Sequence, residues 1–283
     1  MDGKPTRALV LSGGGGRGAY ECGVYKHLEE IGWQPDILVG TSIGAINAAA
    51  IASGRSASEL EAAWLATRTK DVQRFWRLRP WRSIYDTTPW RKTLDRYIDF
   101  DALAHAEKRL LIAATELETG QLRIFDNQET MLTPDHILAS CSIPLVYPWT
   151  KVEGYHYWDG AVMANTPLSG AIDAGADEIV IVLLSPIGER HMEPPRLPWH
   201  ALTVVLDLAL SATYENDLKQ LENVNQLVAA QLDSKHREVK CEVIAPSQET
   251  DLLRIIRYEP DVSQELIEMG YADARQQIGI ESR

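Results

Sequence analysis

Short apolar runs closed by glycines alternate with helical periodicity through the first 54 residues. Residues 7–11 (Arg-Ala-Leu-Val-Leu) read as a buried strand that stops at Ser12 and the glycine run from Gly13. From Ala19 to about Ile31 the apolar positions Tyr20, Val24, Leu28 and Ile31 recur at spacings of four, four and three, which predicts a helix ended by Gly32. Residues 36–40 form a second buried strand, and the Ala- and Ile-rich run from Ile43 to Ser53 a second helix ended by Gly54. Strand, helix, strand, helix in that order implies neighbouring parallel strands in an α/β sheet.

Further along, residues 110–117 and 121–125 predict a strand pair about a Glu-Thr-Gly turn, followed by a helix near 134–141 and short strands around 151–158. Residues 178–184 are the clearest late strand. A long helical pattern covers about 199–232, where it is expected to cover the sheet; a strand follows at 239–245 and an amphipathic helix at about 262–277. No internal repeat or low-complexity linker divides the chain. One elaborated domain is expected, with a core over 7–185 and a C-terminal helical extension over 186–283 packed on it.

Composition narrows the function classes. The 283 residues carry 28 Lys plus Arg against 40 Asp plus Glu, a net charge of −12 that disfavours nucleic acid as a partner. Cys22, Cys141 and Cys241 are widely spaced and odd in number, which points to buried free thiols in a reducing compartment and to no metal site. The N-terminus enters a strand at once, leaving no room for a secretory signal, and no run approaches about 18 apolar residues. These features predict a cytoplasmic protein that meets a membrane only at its surface.

Gly40-Thr41-Ser42-Ile43-Gly44 fits Gly-x-Ser-x-Gly, which this composition produces by chance roughly 0.07 times per chain. Its setting raises its weight, because a buried strand enters the motif and a helix leaves it, as a nucleophile elbow requires. The helix also turns its positive end toward Ser42, favouring an alkoxide or oxyanion there. The second motif, Gly13-Gly14-Gly15-Gly16-Arg17-Gly18, leaves bare backbone amides at a helix start and forms an anion site for a phosphate or an acyl oxyanion. As a P-loop it fails, since Ala19 and Tyr20 stand where Lys and Ser or Thr are needed. As a dinucleotide fingerprint it has Asp36 at the wrong end of the second strand. Both loops follow neighbouring parallel strands, so the amides of Gly14, Gly15 and Gly16 are expected to face Ser42 Oγ, which favours acyl transfer.

None of the seven histidines sits in a convincing catalytic setting. The preferred base is Asp159, in Tyr157-Trp158-Asp159-Gly160-Ala161, where an aromatic strand enters a glycine turn. A carboxylate is a weak base in water, and Tyr157 and Trp158 offer the low-dielectric wall it needs.

Together the glycine loop, Gly40-Thr41-Ser42-Ile43-Gly44 and Asp159-Gly160-Ala161 resemble the patatin-like phospholipase family, as do Ala-Ser-Cys-Ser-Ile-Pro from Ala139 and Asn165-Thr-Pro. The resemblance covers about residues 7–185. It implies a three-layer α/β/α fold with a mainly parallel central sheet. It also implies a Ser42–Asp159 dyad that cleaves acyl esters of phospholipids or lysophospholipids without histidine, metal or cofactor. Gly16 stands where alanine is common in the family, a departure expected to be harmless.

Two alternatives stay open from the residues alone: a transacylase using the same acyl-enzyme, and a nucleotide-binding regulatory module built on the glycine loop. Between Lys70 and Tyr97 eight basic residues face three acidic ones, interleaved with Phe75, Trp76, Trp81, Tyr85 and Trp90. This insertion suits either transient contact with an anionic membrane surface or a lid; equally it suits a solvated helical face with its tryptophans buried behind. Acyl position, headgroup and oligomeric state are not legible.

Overall fold

A computed structural model describes residues 4–75, 83–187, 239–248 and 252–278, with isolated positions between 194 and 226. The 199–232 helix expected from sequence, and Trp76, Arg77, Arg79, Trp81 and Arg82 of the basic insertion, lie outside the described residues, save for those isolated positions.

Ten strands are described: β1 (Arg7–Leu11), β2 (Ile37–Thr41), β3 (Arg74–Phe75), β4 (Tyr85–Asp86), β5 (Arg109–Glu116), β6 (Gln121–Asp126), β7 (Thr150–Val152), β8 (Tyr155–Asp159), β9 (Glu178–Val182) and β10 (Lys240–Ile244). Among the described residues the helices are α1 (Ala19–Glu30), α2 (Ile43–Ala52), α3 (Ala57–Ala66), α4 (Thr69–Val72), α5 (Thr88–Tyr97), α6 (Phe100–Leu103), α7 (Pro134–Ser140), α8 (Leu168–Asp173) and α9 (Pro260–Gln277). Eight strands form one sheet whose hydrogen-bonded neighbours run β10-β9-β1-β2-β5-β8-β7, with β6 also on β5; β3 and β4 make a separate hairpin. The strands β10, β9, β1, β2 and β5 are parallel. This is the mainly parallel α/β architecture that the alternation of apolar runs and helical periods implies. The sheet also recruits β10, so the C-terminal stretch is more than helical.

Because side chains alternate along a strand, β1 and β2 feed two cores. Leu9, Leu11 and Leu38 join the larger core with residues of α1, α2, α3, α5 and α7, whereas Ala8, Val10, Ile37 and Val39 join the smaller one with Leu168 and Ala171 of α8. Strands buried on both faces read as near-continuous apolar runs, which is why β1, β2 and β9 stand out in the sequence.

The register on β5 positions the site. β6 takes one edge of β5 along Leu111–Glu116, so the other edge is shared by two strands meeting head to head. β2 pairs there as far as Thr41 opposite Ala113, and β8, running the other way, ends with Asp159 opposite Ala114. Ser42 and Asp159 therefore leave the sheet at adjacent rungs of one strand, although 117 positions separate them in the chain.

Candidate active site

Ser42 occupies the turn between β2 and α2 with φ 56° and ψ −122°, a left-handed backbone for a residue with a Cβ. The turn is this tight because its flanks carry no side chains: a Cβ on Gly44 would lie 2.3 Å from the Leu11 carbonyl oxygen, and one on Gly40 would lie 2.5 Å from that of Gly44. The Ser42 amide donates to Ser140 Oγ at 2.8 Å, and Ser140 in turn donates to the Ala113 carbonyl at 2.7 Å. The strained backbone is thus tied through a buried hydroxyl to β5. Ser140 carries no signal in the sequence beyond its place in the Ala-Ser-Cys-Ser-Ile-Pro resemblance.

Asp159 is held from three sides. Its amide donates to the Ser142 carbonyl at 2.9 Å, its own carbonyl accepts from Thr115 Oγ1 at 2.9 Å, and Oδ1 accepts from the Ala161 amide at 2.9 Å. Gly160 packs directly on the Ala113 carbonyl, which a Cβ would reach at 2.4 Å. Oδ2 is buried without a hydrogen-bond partner. Burial pushes the carboxyl up to about 7, while the Ser42 hydroxyl and the Ala161 amide, both favouring the charged form, restrain the rise. The Ser42 hydroxyl is close enough to act on the carboxylate, yet Oδ2 makes no hydrogen bond of good geometry. Catalytic hydrogen bonds often close only around substrate. Cys141, expected to be a buried free thiol, is one. Burial raises its pKa well above its ordinary value; the Asp159 charge adds to this and the Ser42 hydroxyl opposes it.

The glycine loop faces the same space. Ser12 Oγ and Thr166 Oγ1 are 2.8 Å apart, and the Gly13 amide donates to Asn165 Oδ1 at 3.0 Å. The stretch that follows Asp159 thereby fixes the loop. Neither the Gly14 nor the Gly15 amide donates to a protein acceptor among the described residues. Buried Arg17 reaches back to the Gly14 carbonyl at 3.4 Å, and Gly18 packs on Ile43.

A cavity of about 270 Å³ joins these parts, lined by Gly13, Gly14, Gly15, Ser42 and Asp159 with Ile143, Pro144, Ala161, Val162 and Ile255. Gly16 is set back from this lining. Its Cα instead packs against the turn Leu252–Ile256, so that a Cβ would lie 2.0 Å from the Arg257 carbonyl oxygen. The sequence-level expectation that glycine is harmless there becomes a requirement for glycine. Ile255, which closes one wall, gave no signal in the sequence. Among the described residues no group of three His, Cys, Asp or Glu side chains is placed to hold a metal ion.

A sequence model of the patatin-like phospholipase family matches residues 9–172. The chain belongs to that family. A cGAMP-activated phospholipase of Escherichia coli is 25% identical over 237 residues, covering 70% of this chain and 66% of that protein. A cGAMP-activated phospholipase of Vibrio cholerae is 30% identical over 197 residues, covering 57% of this chain and 55% of that protein. The human patatin-like phospholipase domain-containing protein 6 is 27% identical over 186 residues, 62% of this chain and 13% of that protein. This patatin-like chain therefore spans under two thirds of the length of each of these relatives. In fold it is similar to VipD from Legionella pneumophila, with a TM-score of 0.51 at 13% identity over 97% of this chain and 67% of VipD.

Of the basic insertion, the described part divides. Trp90 is buried, with its ring edge-on to Tyr147 and Tyr258, and Arg74, Arg91 and Arg96 pair with Asp86, Asp135 and Asp71. Phe75 is exposed. No helix among the described residues is long and apolar enough to cross a membrane.

Proposed function

We propose that this protein is a serine acyl hydrolase acting on acyl esters of phospholipids or lysophospholipids. One observation carries the reading. A serine on a strained elbow and a buried carboxylate with an unpartnered oxygen share one cavity with the glycine loop, and the remaining described wall residues are apolar. Ser42 Oγ attacks the ester carbonyl while Asp159 Oδ2 takes its proton. A carboxyl raised to about 7 is a far stronger base than one in water and still ionises at neutral pH. The amides of Gly14 and Gly15 hold the oxyanion of the tetrahedral intermediate. The leaving alcohol takes the proton back from Asp159. Water, activated by the same carboxylate, then attacks the acyl-serine and regenerates the hydroxyl. Ile143, Pro144, Val162 and Ile255 receive the acyl chain. Among the described residues no basic side chain lines the cavity, which weighs against a phosphate site on the glycine loop beside Asp159.

The test is labelling with an organophosphonate followed by peptide mass spectrometry, together with hydrolysis of a short-chain nitrophenyl ester. The expected result is a single label on Ser42 and no hydrolysis by Ser42→Ala. A label elsewhere, or full activity in that variant, overturns the assignment.

A further inference from the structure

Around the mouth of the cavity, apolar side chains stand in solvent where packing gives no reason for them. Leu145 follows the wall residues Ile143 and Pro144; it is 64% exposed and has φ 67°, a left-handed backbone that a leucine adopts only at a cost. Its carbonyl accepts from the amide of Ile84 at 2.9 Å, and the Val146 carbonyl accepts from Tyr85 at 2.9 Å, which docks the β3–β4 hairpin against this rim. Ile84 is exposed, and Phe75, edge-on to Tyr85, is 68% exposed. Val162, itself a wall residue, and its neighbour Met163 are exposed as well. A strained, exposed leucine is costly twice over, and a contiguous apolar rim on a soluble surface marks a docking site.

Charge indicates what docks. In the hairpin Arg74 is paired with Asp86 at 2.6 Å, residues 83–85, 143–145 and 161–163 carry no charged side chain, and the sequence between Phe75 and Ser83 adds Arg77, Arg79 and Arg82 with no acid. The rim is thus free of net negative charge in a chain of net charge −12, and the sequence that joins its two strands is basic. We infer that Phe75, Ile84, Leu145, Val162 and Met163 form an interfacial rim. It seats the cavity mouth on a phospholipid bilayer bearing anionic headgroups, so that an acyl chain passes from bilayer to cavity without crossing water. The apolar wall of the cavity is continuous with this rim through Pro144 and Val162. The inference rests on the acyl hydrolase reading for its purpose, and its test is independent of that reading.

In a Ser42→Ala background, which prevents turnover, flotation is measured with vesicles of phosphatidylcholine alone and with added phosphatidylglycerol. Phe75→Ser, Ile84→Ser and Leu145→Asn are combined; asparagine tolerates the left-handed backbone at 145. Three apolar side chains kept out of the bilayer should reduce partition to the anionic vesicles by about tenfold or more. With Ser42 intact, the same triple variant should hydrolyse the short-chain ester as fast as the wild-type chain and vesicle phospholipid at least about tenfold more slowly. Equal partition of the two proteins, or no binding of the parent to either vesicle, overturns the inference. So does a concentration-dependent dimer abolished by the triple variant, which would assign the rim to a second copy. Failure of the soluble ester assay in the wild-type chain would count against the catalytic reading alone.

Discussion

Asp159→Asn tests whether the carboxyl is as desolvated as its surroundings imply. In the folded protein the group keeps its proton up to about pH 7, against an ordinary value of 3.8. Between those values the native state binds one proton more than the unfolded chain, so stability falls as pH rises and levels off above about 7. At about 1.4 kcal/mol per pH unit the whole window is worth about 4 kcal/mol, and the part between pH 5 and pH 8 about 3 kcal/mol. The variant lacks this dependence. Its amide places a donor where the unpartnered Oδ2 stands, and an unmet donor would cost about 1–3 kcal/mol at every pH. The variant is therefore expected to be inactive and more stable than the parent by about 1–3 kcal/mol at pH 8. That advantage should shrink by about 3 kcal/mol at pH 5. Urea midpoints at the two pH values, with unchanged slopes, measure this directly. Parallel pH dependences in the two proteins would refute a buried, uncompensated carboxylate and remove the physical basis for Asp159 as a base.

The same titration should appear in the rate. For the soluble ester, kcat/KM should climb about tenfold per pH unit below about 7 and flatten above it, since Asp159 accepts a proton only when ionised; a flat profile from about pH 5 to 9 would show that another group takes it. Gly16→Ala should destabilise the fold by about 2 kcal/mol or more and lower esterase activity, because its methyl meets the backbone of Arg257 at 2.0 Å; unchanged thermal unfolding would mean that the covering turn yields freely.

The tight turn at Ser42 and the glycine loop were readable because their causes are local. Buried parallel strands produce apolar runs, and a turn with no room for a Cβ shows its glycines in sequence. Asp159 was readable only in company with those motifs, since an Asp-Gly turn alone has an ordinary explanation. What brings it to Ser42 is register: β2 and β8 dividing one edge of β5, which no local pattern encodes. Ser140 and Cys141 sit within a short helix and its end, and their contact with the elbow follows from the same pairing. Trp90 looked equally suited to a membrane and to a core, because composition does not say which way a side chain turns; it lies in the core.

The turn Leu252–Ile256 bears on where this folded unit ends. It closes the cavity through Ile255 and bears on the glycine loop, with Gln73 Nε2 donating to the Ile256 carbonyl at 2.9 Å and Thr69 Oγ1 accepting from the Tyr258 amide at 2.9 Å. The family match stops at residue 172. A fragment trimmed to that boundary would keep Ser42 and Asp159 and lose the roof over the glycine loop. The smallest excisable folding unit is thus set by steric closure over Gly15 and Gly16, and the family match draws its border too early.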